Sequence, residues 1–220
     1  MLICSSSLIQ HCWYTALHFW AVILAAIFFR LRVLGRRHVP RRGGVLIASS
    51  HQSYLDPPLI GLSVPRQINY LARDTLFRHS RAFSWVMRSL NAIPVRREGG
   101  DMASFRESVR RLEAGRALLL FPEGTRTPDG RIGPIRPGLW NIAHRARVPI
   151  VPAVIDGAFK AWPRTRLLPR PRPIRIMFGP PIPLADIDTI GSDGLCALLF
   201  ERLNDLLRQC QATQAPEDRW

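Results

Sequence analysis

The segment "ALLLFPEGTR", residues 117–126, joins a short apolar run to a turn that is rich in polar residues. Residues 117–121 have the length and the continuous apolar character of a buried strand. The turn with its glycine therefore lies at the carboxyl end of that strand. A buried strand followed by a polar turn is the pattern around which the rest of the chain can be placed.

Similar short runs alternate with helical patterns along the chain. The strand-like runs cover residues 45–49, 68–73, 92–97, 117–121, 150–155 and 174–179. The clearest helix precedes Gly115, and its apolar face carries Met102, Phe105, Val109 and Leu112. This alternation predicts an α/β fold in which a mostly parallel sheet is flanked by helices. Ligands of such sheets bind at the carboxyl ends of the strands.

Positive charge dominates the composition. The 220 residues include 31 Lys and Arg against 16 Asp and Glu, a net charge of +15, and Lys160 is the single lysine. Guanidinium groups suit phosphate because they donate two parallel hydrogen bonds. Nucleic acid, an anionic membrane surface and a phosphorylated substrate are all compatible partners, and charge alone does not choose among them.

The cysteines form neither a metal pattern nor a disulfide pattern. Cys4, Cys12, Cys196 and Cys210 lie near the two ends of the sequence, without a CxxC pair or a histidine at zinc-ligand spacing. The sequence therefore predicts no metal site and no disulfide framework.

The N-terminal segment is apolar and uncharged. No Lys, Arg, Asp or Glu occurs from Met1 to Phe29, and arginines follow at once. The densest apolar run, residues 13–29, is slightly shorter than the roughly 20 residues of a full crossing, so a spanning helix and a half-inserted helix both fit. Basic residues after the run favour a retained anchor over a cleaved signal peptide. A buried soluble helix is the remaining alternative.

These features predict two parts of the chain. Residues 1–42 form a hydrophobic membrane anchor and a basic connector, and residues 43–220 form one globular domain. The arginines behind the anchor predict that this domain lies on the cytoplasmic side of the inner membrane. The Pro/Arg-rich residues 163–175 predict an extended loop, and the spacing of Leu195, Leu199, Leu203 and Leu206 predicts a helix packed on the core.

The segment "SSHQSYLDPP", residues 49–58, places His51 and Asp56 in the turn after a predicted strand. Such a turn can fold back so that the carboxylate accepts a hydrogen bond from one imidazole nitrogen, which leaves the other nitrogen free as a base. No serine or cysteine nucleophile is needed if the substrate supplies a hydroxyl. Asp56 before Pro57 also fits the N-cap of a helix, which would explain it without catalysis.

The turn after the strand 117–121 combines features of an anion site. Gly124 permits close approach of the backbone, Thr125 offers a hydroxyl and Arg126 offers a bidentate fork. A carboxylate there is costly unless it is paired, so Glu123 is expected to hold the arginines of the site.

The two segments together resemble the glycerolipid acyltransferase family typified by 1-acylglycerol-3-phosphate acyltransferase. Its histidine, four residues, aspartate motif matches His51 and Asp56, and its glutamate-glycine motif matches residues 121–126. Ser50 stands where the family often has asparagine.

Two weaker motifs of the family also have counterparts. "NAIPVRR", residues 91–97, resembles the second motif, although Asn91 replaces the usual glycine; Arg97 takes the arginine position and Arg96 lies beside it. "VPIVPAVI" with Pro152 resembles the fourth motif. The resemblance covers roughly residues 43–157.

The resemblance implies transfer of a fatty acyl group from acyl-CoA or acyl carrier protein to the free hydroxyl of a lysolipid, commonly lysophosphatidic acid, which gives phosphatidic acid. His51 would remove the hydroxyl proton, and Asp56 would orient His51. The acceptor phosphate and its pocket would be formed by Arg96, Arg97, Glu123, Gly124, Thr125, Arg126 and Pro152. The implied partners are a phospholipid membrane and the two substrates. No metal, organic cofactor or nucleic acid is implied.

Three alternatives remain at this point. The same chemistry could act on glycerol 3-phosphate, another lysophospholipid or an amino-acid-containing lipid. A non-catalytic protein that binds membranes or nucleic acid would prefer aromatic residues interleaved with the basic ones, which the sequence lacks. A hydrolase would need a nucleophile elbow, and the sequence contains no GxSxG.

Overall fold

The computed structural model describes residues 27–74, 92–95 and 102–213, and these residues build one seven-stranded sheet. The strands are β1 Arg32–Leu34, β2 Val45–Ser49, β3 Ile68–Arg73, β4 Ala92–Val95, β5 Ala117–Leu120, β6 Ile150–Asp156 and β7 Arg175–Phe178. Their order across the sheet is β1-β7-β6-β2-β5-β3-β4, and each neighbouring pair is parallel except β6 and β7. The predicted α/β fold with a mostly parallel sheet is confirmed.

Helices cover both faces of the sheet. They are α1 Asp56–Ser63, α2 Met102–Glu113, α3 Gly138–Ala146, α4 Ala158–Ala161 and α5 Leu184–Ala212, together with a 3-10 turn at Arg36–His38. Helix α5 is interrupted at Gly191, where φ is 67° and ψ is −170°. Its four predicted leucines are all buried, which confirms the predicted core helix.

The alternation of side chains along β2 explains why the central strands are apolar throughout. Leu46 and Ala48 join the cluster beneath α2, α3 and α5, whereas Val45 and Ile47 join the cluster beneath α1 and α4. Successive side chains of a strand point to opposite faces, so a strand that is covered on both faces needs no polar positions.

Two local expectations differ from the structure. Met102 was predicted on the buried face of α2, but it is the first residue of that helix and is exposed, while Val109 and Leu112 are buried as expected. The segment predicted as anchor and connector, residues 1–42, contains β1, which pairs with β7, and Val39, which is buried in the core. The division of the chain at residue 43 stays a prediction.

Residues 1–26, and with them most of the predicted membrane anchor, lie outside the described residues. Across the ranges that the structure describes, no helix is both long enough and apolar enough to cross a bilayer.

The sheet brings the two polar turns of the sequence together. β2 and β5 are parallel neighbours, with Ala48 paired to Leu120, so their carboxyl ends lie side by side at one edge. His51 follows the first strand and Glu123 follows the second.

Candidate active site

The histidine turn, residues 51–56, connects β2 to α1. Ser50, just before it, donates a backbone hydrogen bond to the carbonyl of Ala153 in β6 (3.2 Å). Nδ1 of His51 lies 2.8 Å from Oδ2 of Asp56, and Asp56 is completely buried. Because the carboxylate accepts here, Nδ1 carries the proton and Nε2 is the basic nitrogen of the ring.

Asp56 organises the turn that precedes it. Its Oδ2 atom also accepts the backbone N–H groups of Gln52 (2.5 Å) and Ser53 (2.7 Å). The N-cap prediction is therefore wrong: Leu55 occupies the cap position, and no side chain caps the helix. Because the carboxylate points back toward His51, it cannot reach the N–H groups of the first turn of α1.

The electrostatics of Asp56 follow from its burial. Burial raises the pKa of Asp56 above its ordinary value, while the hydrogen bonds from His51, Ser53 and Gln52 oppose that rise. Its other oxygen, Oδ1, is buried and has no hydrogen-bond partner among the described residues. A carboxylate removed from water in this way interacts strongly with a positive charge on its neighbour, so it suits an imidazolium.

Packing fixes the plane of the imidazole. The ring of Phe121 stacks on His51, with the centroids 3.9 Å apart and the planes inclined by 18°. The side chain of His51 is 18% exposed, and within the described ranges no group hydrogen-bonds to Nε2. The free nitrogen is thus held in place and remains reachable by a substrate hydroxyl.

The glutamate loop, residues 121–136, is bonded directly to the histidine turn. The buried carboxylate of Glu123 accepts the N–H of His51 at Oε1 (2.8 Å) and the N–H of Gly133 at Oε2 (2.9 Å). Thr127 donates its N–H to the carbonyl of His51 (2.8 Å). The sequence predicted that Glu123 holds the arginines of the site. Among the described residues its carboxylate is bonded to no arginine, and it fixes the backbone of His51 instead.

Burial also raises the pKa of Glu123, and the two backbone hydrogen bonds oppose this shift. Through these two hydrogen bonds, Glu123 positions the backbone of both His51 and Gly133, which are far apart in sequence.

Gly124 allows the guanidinium group of Arg136 to lie close to the backbone of the glutamate loop. Its φ of 71° is left-handed, and a Cβ atom there would lie 2.8 Å from Nε of Arg136. Arg136 is anchored by its backbone N–H to the carbonyl of Pro122 (2.9 Å) and is exposed. Sequence reasoning missed Arg136, since a lone arginine after a loop carries no signal of its own. Thr125, next to Gly124, is exposed.

Arg126 lies over an aromatic ring that the sequence analysis did not single out. Its guanidinium carbon is 3.5 Å from the centroid of Tyr54, which in turn contacts Trp162 with the ring centroids 5.2 Å apart. Its buried Nη1 has no hydrogen-bond partner in the described part of the chain. A buried guanidinium nitrogen without an acceptor is costly in the free protein, so an anion bound there would be strongly favoured.

The remaining predicted site residues are Pro152, Arg96 and Arg97. Pro152 is buried within β6, paired with Ala48 and packed near Gly179. Arg96 and Arg97 lie outside the described residues. Their roles in substrate binding stay predictions.

No group of three or more His, Cys, Asp or Glu side chains is arranged to hold a metal ion within the described ranges. The site combines a base and its orienting carboxylate with Arg126, whose buried Nη1 has no partner among the described residues. That combination can activate a hydroxyl on a molecule that carries an anionic group.

Comparison with known proteins gives the same class of chemistry. The chain is 27% identical over 182 residues to the 1-acyl-sn-glycerol-3-phosphate acyltransferase of Bacillus subtilis, covering 82% of this chain and 88% of that one. It is 39% identical over 154 residues to the enzyme of the same name from Limnanthes douglasii, covering 69% and 54% of the two chains. This chain spans 42% of a chloroplastic relative from Brassica napus.

A solved structure shares the fold. The crystal structure of the 1-acyl-sn-glycerophosphate acyltransferase PlsC from Thermotoga maritima superimposes with a TM-score of 0.77 at 22% identity, covering 98% of this chain and 85% of that one. The sequence profile of the Acyltransferase family matches residues 30–156, which include the histidine turn and the glutamate loop. The chain belongs to the acyltransferase family.

Proposed function

We propose that the protein transfers a fatty acyl group from an acyl thioester to the free hydroxyl of 1-acylglycerol 3-phosphate, producing phosphatidic acid. The observation that carries the proposal is the hydrogen bond between His51 and the buried Asp56, which leaves Nε2 free in a turn that is bonded to the loop carrying Arg126. The names of the relatives support the acceptor. The thioester is that of acyl-CoA or acyl carrier protein.

The reaction needs one base and no covalent intermediate on the protein. Nε2 of His51 takes the proton of the acceptor hydroxyl while the oxygen forms a bond to the thioester carbonyl carbon. The carbon–sulfur bond then breaks, and the leaving thiolate receives the proton that His51 holds. Asp56 stabilises the imidazolium between these two steps because it is a carboxylate held 2.8 Å away.

The arginines contribute binding rather than proton transfer. Arg126 has a donor without a partner, and Arg136 lies beside Gly124 at the same loop. A phosphate held by such guanidinium groups positions the hydroxyl against His51, which lowers the entropic cost of reaching the transition state. Arg96 and Arg97 are assigned to the same phosphate, and Thr125 and Pro152 to the pocket. We assign the enzyme to the cytoplasmic face of the membrane.

The test is release of free thiol from a long-chain acyl-CoA, measured with and without lysophosphatidic acid. Wild type should show release that depends on the acceptor, and His51→Ala should reduce it by about 10² to 10⁴-fold, the usual contribution of a general base. His38→Ala is the matched control, because His38 is also partly buried and bonded at Nδ1, to the carbonyl of Phe178 (2.8 Å). That variant should keep its turnover.

Equal release by wild type and a folded His51→Ala would overturn the role of the histidine. Wild-type release with glycerol 3-phosphate or another lysophospholipid, but none with lysophosphatidic acid, would overturn the acceptor and keep the mechanism.

A further inference from the structure

The arginine–proline loop, residues 163–173, presents two apolar side chains that none of the described elements covers. Leu167 is 89% exposed and Leu168 is 73% exposed. Two adjacent leucines at this exposure obtain no stabilisation from burial in the core. A single exposed apolar residue is common on protein surfaces and needs no explanation. The pair therefore indicates a binding partner in which apolar side chains can be buried.

Hydrogen bonds give the loop a defined shape. Arg170 donates its N–H to the carbonyl of Ala161 (2.8 Å), and Arg166 donates its N–H to the carbonyl of Pro163 (3.1 Å). The indole N–H of Trp162 bonds to the carbonyl of Arg166 (3.1 Å). These contacts use only backbone atoms of the loop, so the side chains of Arg166, Leu167 and Leu168 are left to face outward.

The sheet topology places the loop at the same edge as the active site. β7 runs antiparallel to β6, with Asp156 paired to Arg175, so β7 begins where β6 ends. The loop connects these two ends. On the site side, Ser53 of the histidine turn bonds through its hydroxyl to the carbonyl of Trp162 (2.7 Å), and Tyr54 contacts the Trp162 ring.

Residues 27–29, the described end of the apolar N-terminal segment, lie at this edge as well. β1 is parallel to β7, with Arg32 paired to Arg175, and therefore begins at the edge where β7 begins. Ile174, which follows the loop, donates its N–H to the carbonyl of Phe29 (2.8 Å). Ile27 and Phe28, immediately before that contact, are exposed apolar residues. Two apolar elements that are distant in sequence thus lie at the same edge of the sheet.

The positive charge of the loop indicates which kind of apolar partner it binds. The loop contains four arginines and no acidic residue, and the side chains of Arg164, Arg166 and Arg170 are exposed. Guanidinium groups beside exposed leucines match a bilayer whose anionic headgroups overlie hydrocarbon. A soluble polyanion would satisfy the arginines but would leave Leu167 and Leu168 in water.

We propose that the arginine–proline loop docks on an anionic phospholipid bilayer, with Leu167 and Leu168 in the apolar layer and the arginines at the phosphates. The loop is then a membrane contact in addition to the predicted anchor, and it places the edge of the sheet that carries His51 against the lipid surface. The proposal rests on the position of the loop and does not depend on the acyl acceptor.

The experiment measures the depth of a nitroxide label on the full chain, in a background whose four cysteines are replaced by alanine. The label is attached at Leu167→Cys or, as the matched control, at Phe200→Cys, an exposed apolar residue in the middle of α5. Collision rates with oxygen and with a neutral nickel chelate are compared, with and without vesicles of phosphatidylcholine and phosphatidylglycerol.

With vesicles, the label at residue 167 should gain oxygen collisions and lose nickel collisions, while the label at residue 200 stays accessible to nickel. A label at Leu168→Cys should behave like the label at 167. Equal nickel access at 167 and 200 on vesicles that carry the protein would overturn the proposal. So would shielding at 167 by an oligonucleotide or an acidic polypeptide without shielding by vesicles.

A charge variant tests the anionic part of the proposal. The variant replaces Arg164, Arg166 and Arg170 by glutamine in the protein labelled at 167, and the control replaces Arg106, Arg145 and Arg202, which are exposed on helices. Only the loop variant should need more phosphatidylglycerol for the same shielding. An equal requirement in the two variants would remove the arginines from the contact. Because this readout is spectroscopic, a failure here leaves the acylation assay unaffected.

Discussion

The histidine turn and the surroundings of Arg126 lie at the same edge of the sheet, but their polar groups are used differently. In the histidine turn, the carboxylate of Asp56 receives three N–H groups, and the backbone of His51 is bonded on both sides to the glutamate loop. At Arg126, a buried donor has no partner among the described residues, and the ring beneath it is half exposed.

This difference separates the two tasks of a transferase. A base must hold one geometry before the substrate arrives, since the proton moves over a short distance only when donor and acceptor are aligned. A binding group is completed by its ligand, so it is left without a protein acceptor. Substitutions in the first region should therefore change turnover and stability together, whereas those in the second should change affinity alone.

The largest effect is expected for Asp56→Asn. The amide keeps an oxygen for the three donors, but it is neutral and cannot stabilise the imidazolium, so kcat should fall by about 10² to 10⁴-fold. The new NH2 group would lie near the position of Oδ1, where no acceptor is found in the described structure, so the free energy of unfolding should fall by about 1–3 kcal/mol.

Steady-state kinetics and denaturant melts check both values for Asp56→Asn. A variant that kept full turnover would show that the carboxylate serves the fold alone.

The next largest effect is expected for Glu123→Gln. One amide nitrogen would face a backbone N–H of His51 or Gly133, and two opposed donors should cost about 1–3 kcal/mol of stability. Because the backbone of His51 is displaced with it, kcat should fall in parallel. Melts and kinetics on the same samples check this, and a loss confined to KM would contradict the assignment of Glu123 to the rigid region.

The pH dependence of that variant has a definite sign. Burial raises the pKa of Glu123, so the folded chain binds this proton more tightly than the unfolded chain does. Stability from this group is complete below the unfolded value of 4.5 and is lost as the pH rises through the folded value. The stability advantage of wild type over Glu123→Gln should therefore shrink as the pH rises. An advantage that grows with pH would reverse the sign.

A smaller effect is expected for Gly124→Ala, which lies at the boundary of the two regions. The left-handed φ of 71° should cost about 1–2 kcal/mol with a side chain present. The methyl group would also displace the guanidinium of Arg136, so KM for the acceptor should rise while kcat changes little. Gly138→Ala is the control, because a Cβ there meets nothing within 4 Å and φ is not positive.

The smallest effect is expected for Arg126→Lys. Lysine keeps the charge but loses the planar fork and its stacking on Tyr54. The free energy of acceptor binding should weaken by about 1 kcal/mol, which raises KM for the acceptor roughly fivefold. Neither kcat nor the melting temperature should move. A fall in kcat equal to the rise in KM would place Arg126 with the rigid region instead.

Much of this arrangement could be predicted from the sequence because it depends on local patterns. Buried strands are continuous apolar runs, and the turn after 45–49 contains both members of the His51 and Asp56 pair. The predicted hydrogen bond from His51 to Asp56 is present, whereas the alternative role of Asp56 as an N-cap was wrong. A helix start and a turn closure use the same residue type, and only tertiary contacts decide between them.

The features that sequence reasoning missed are non-local. β1 has three residues and gains its place only by pairing with β7, so it shows no pattern of its own. The true partners of Glu123 are backbone groups, which every residue possesses, and no side-chain pattern announces them. Arg136 is a site candidate because it lies close to Gly124, and that proximity exists only in the folded chain.

The hydrogen bond between the N–H of His51 and Glu123 spans 72 residues and crosses the whole unit of β3, β4 and α2. It can form only after β2 and β5 have paired, a contact of high sequence separation that is slow to close. Individual helices can form much earlier in refolding than the active site does. Recovery of turnover after denaturation should therefore lag behind recovery of helical signal, so that activity reports the completion of the central sheet.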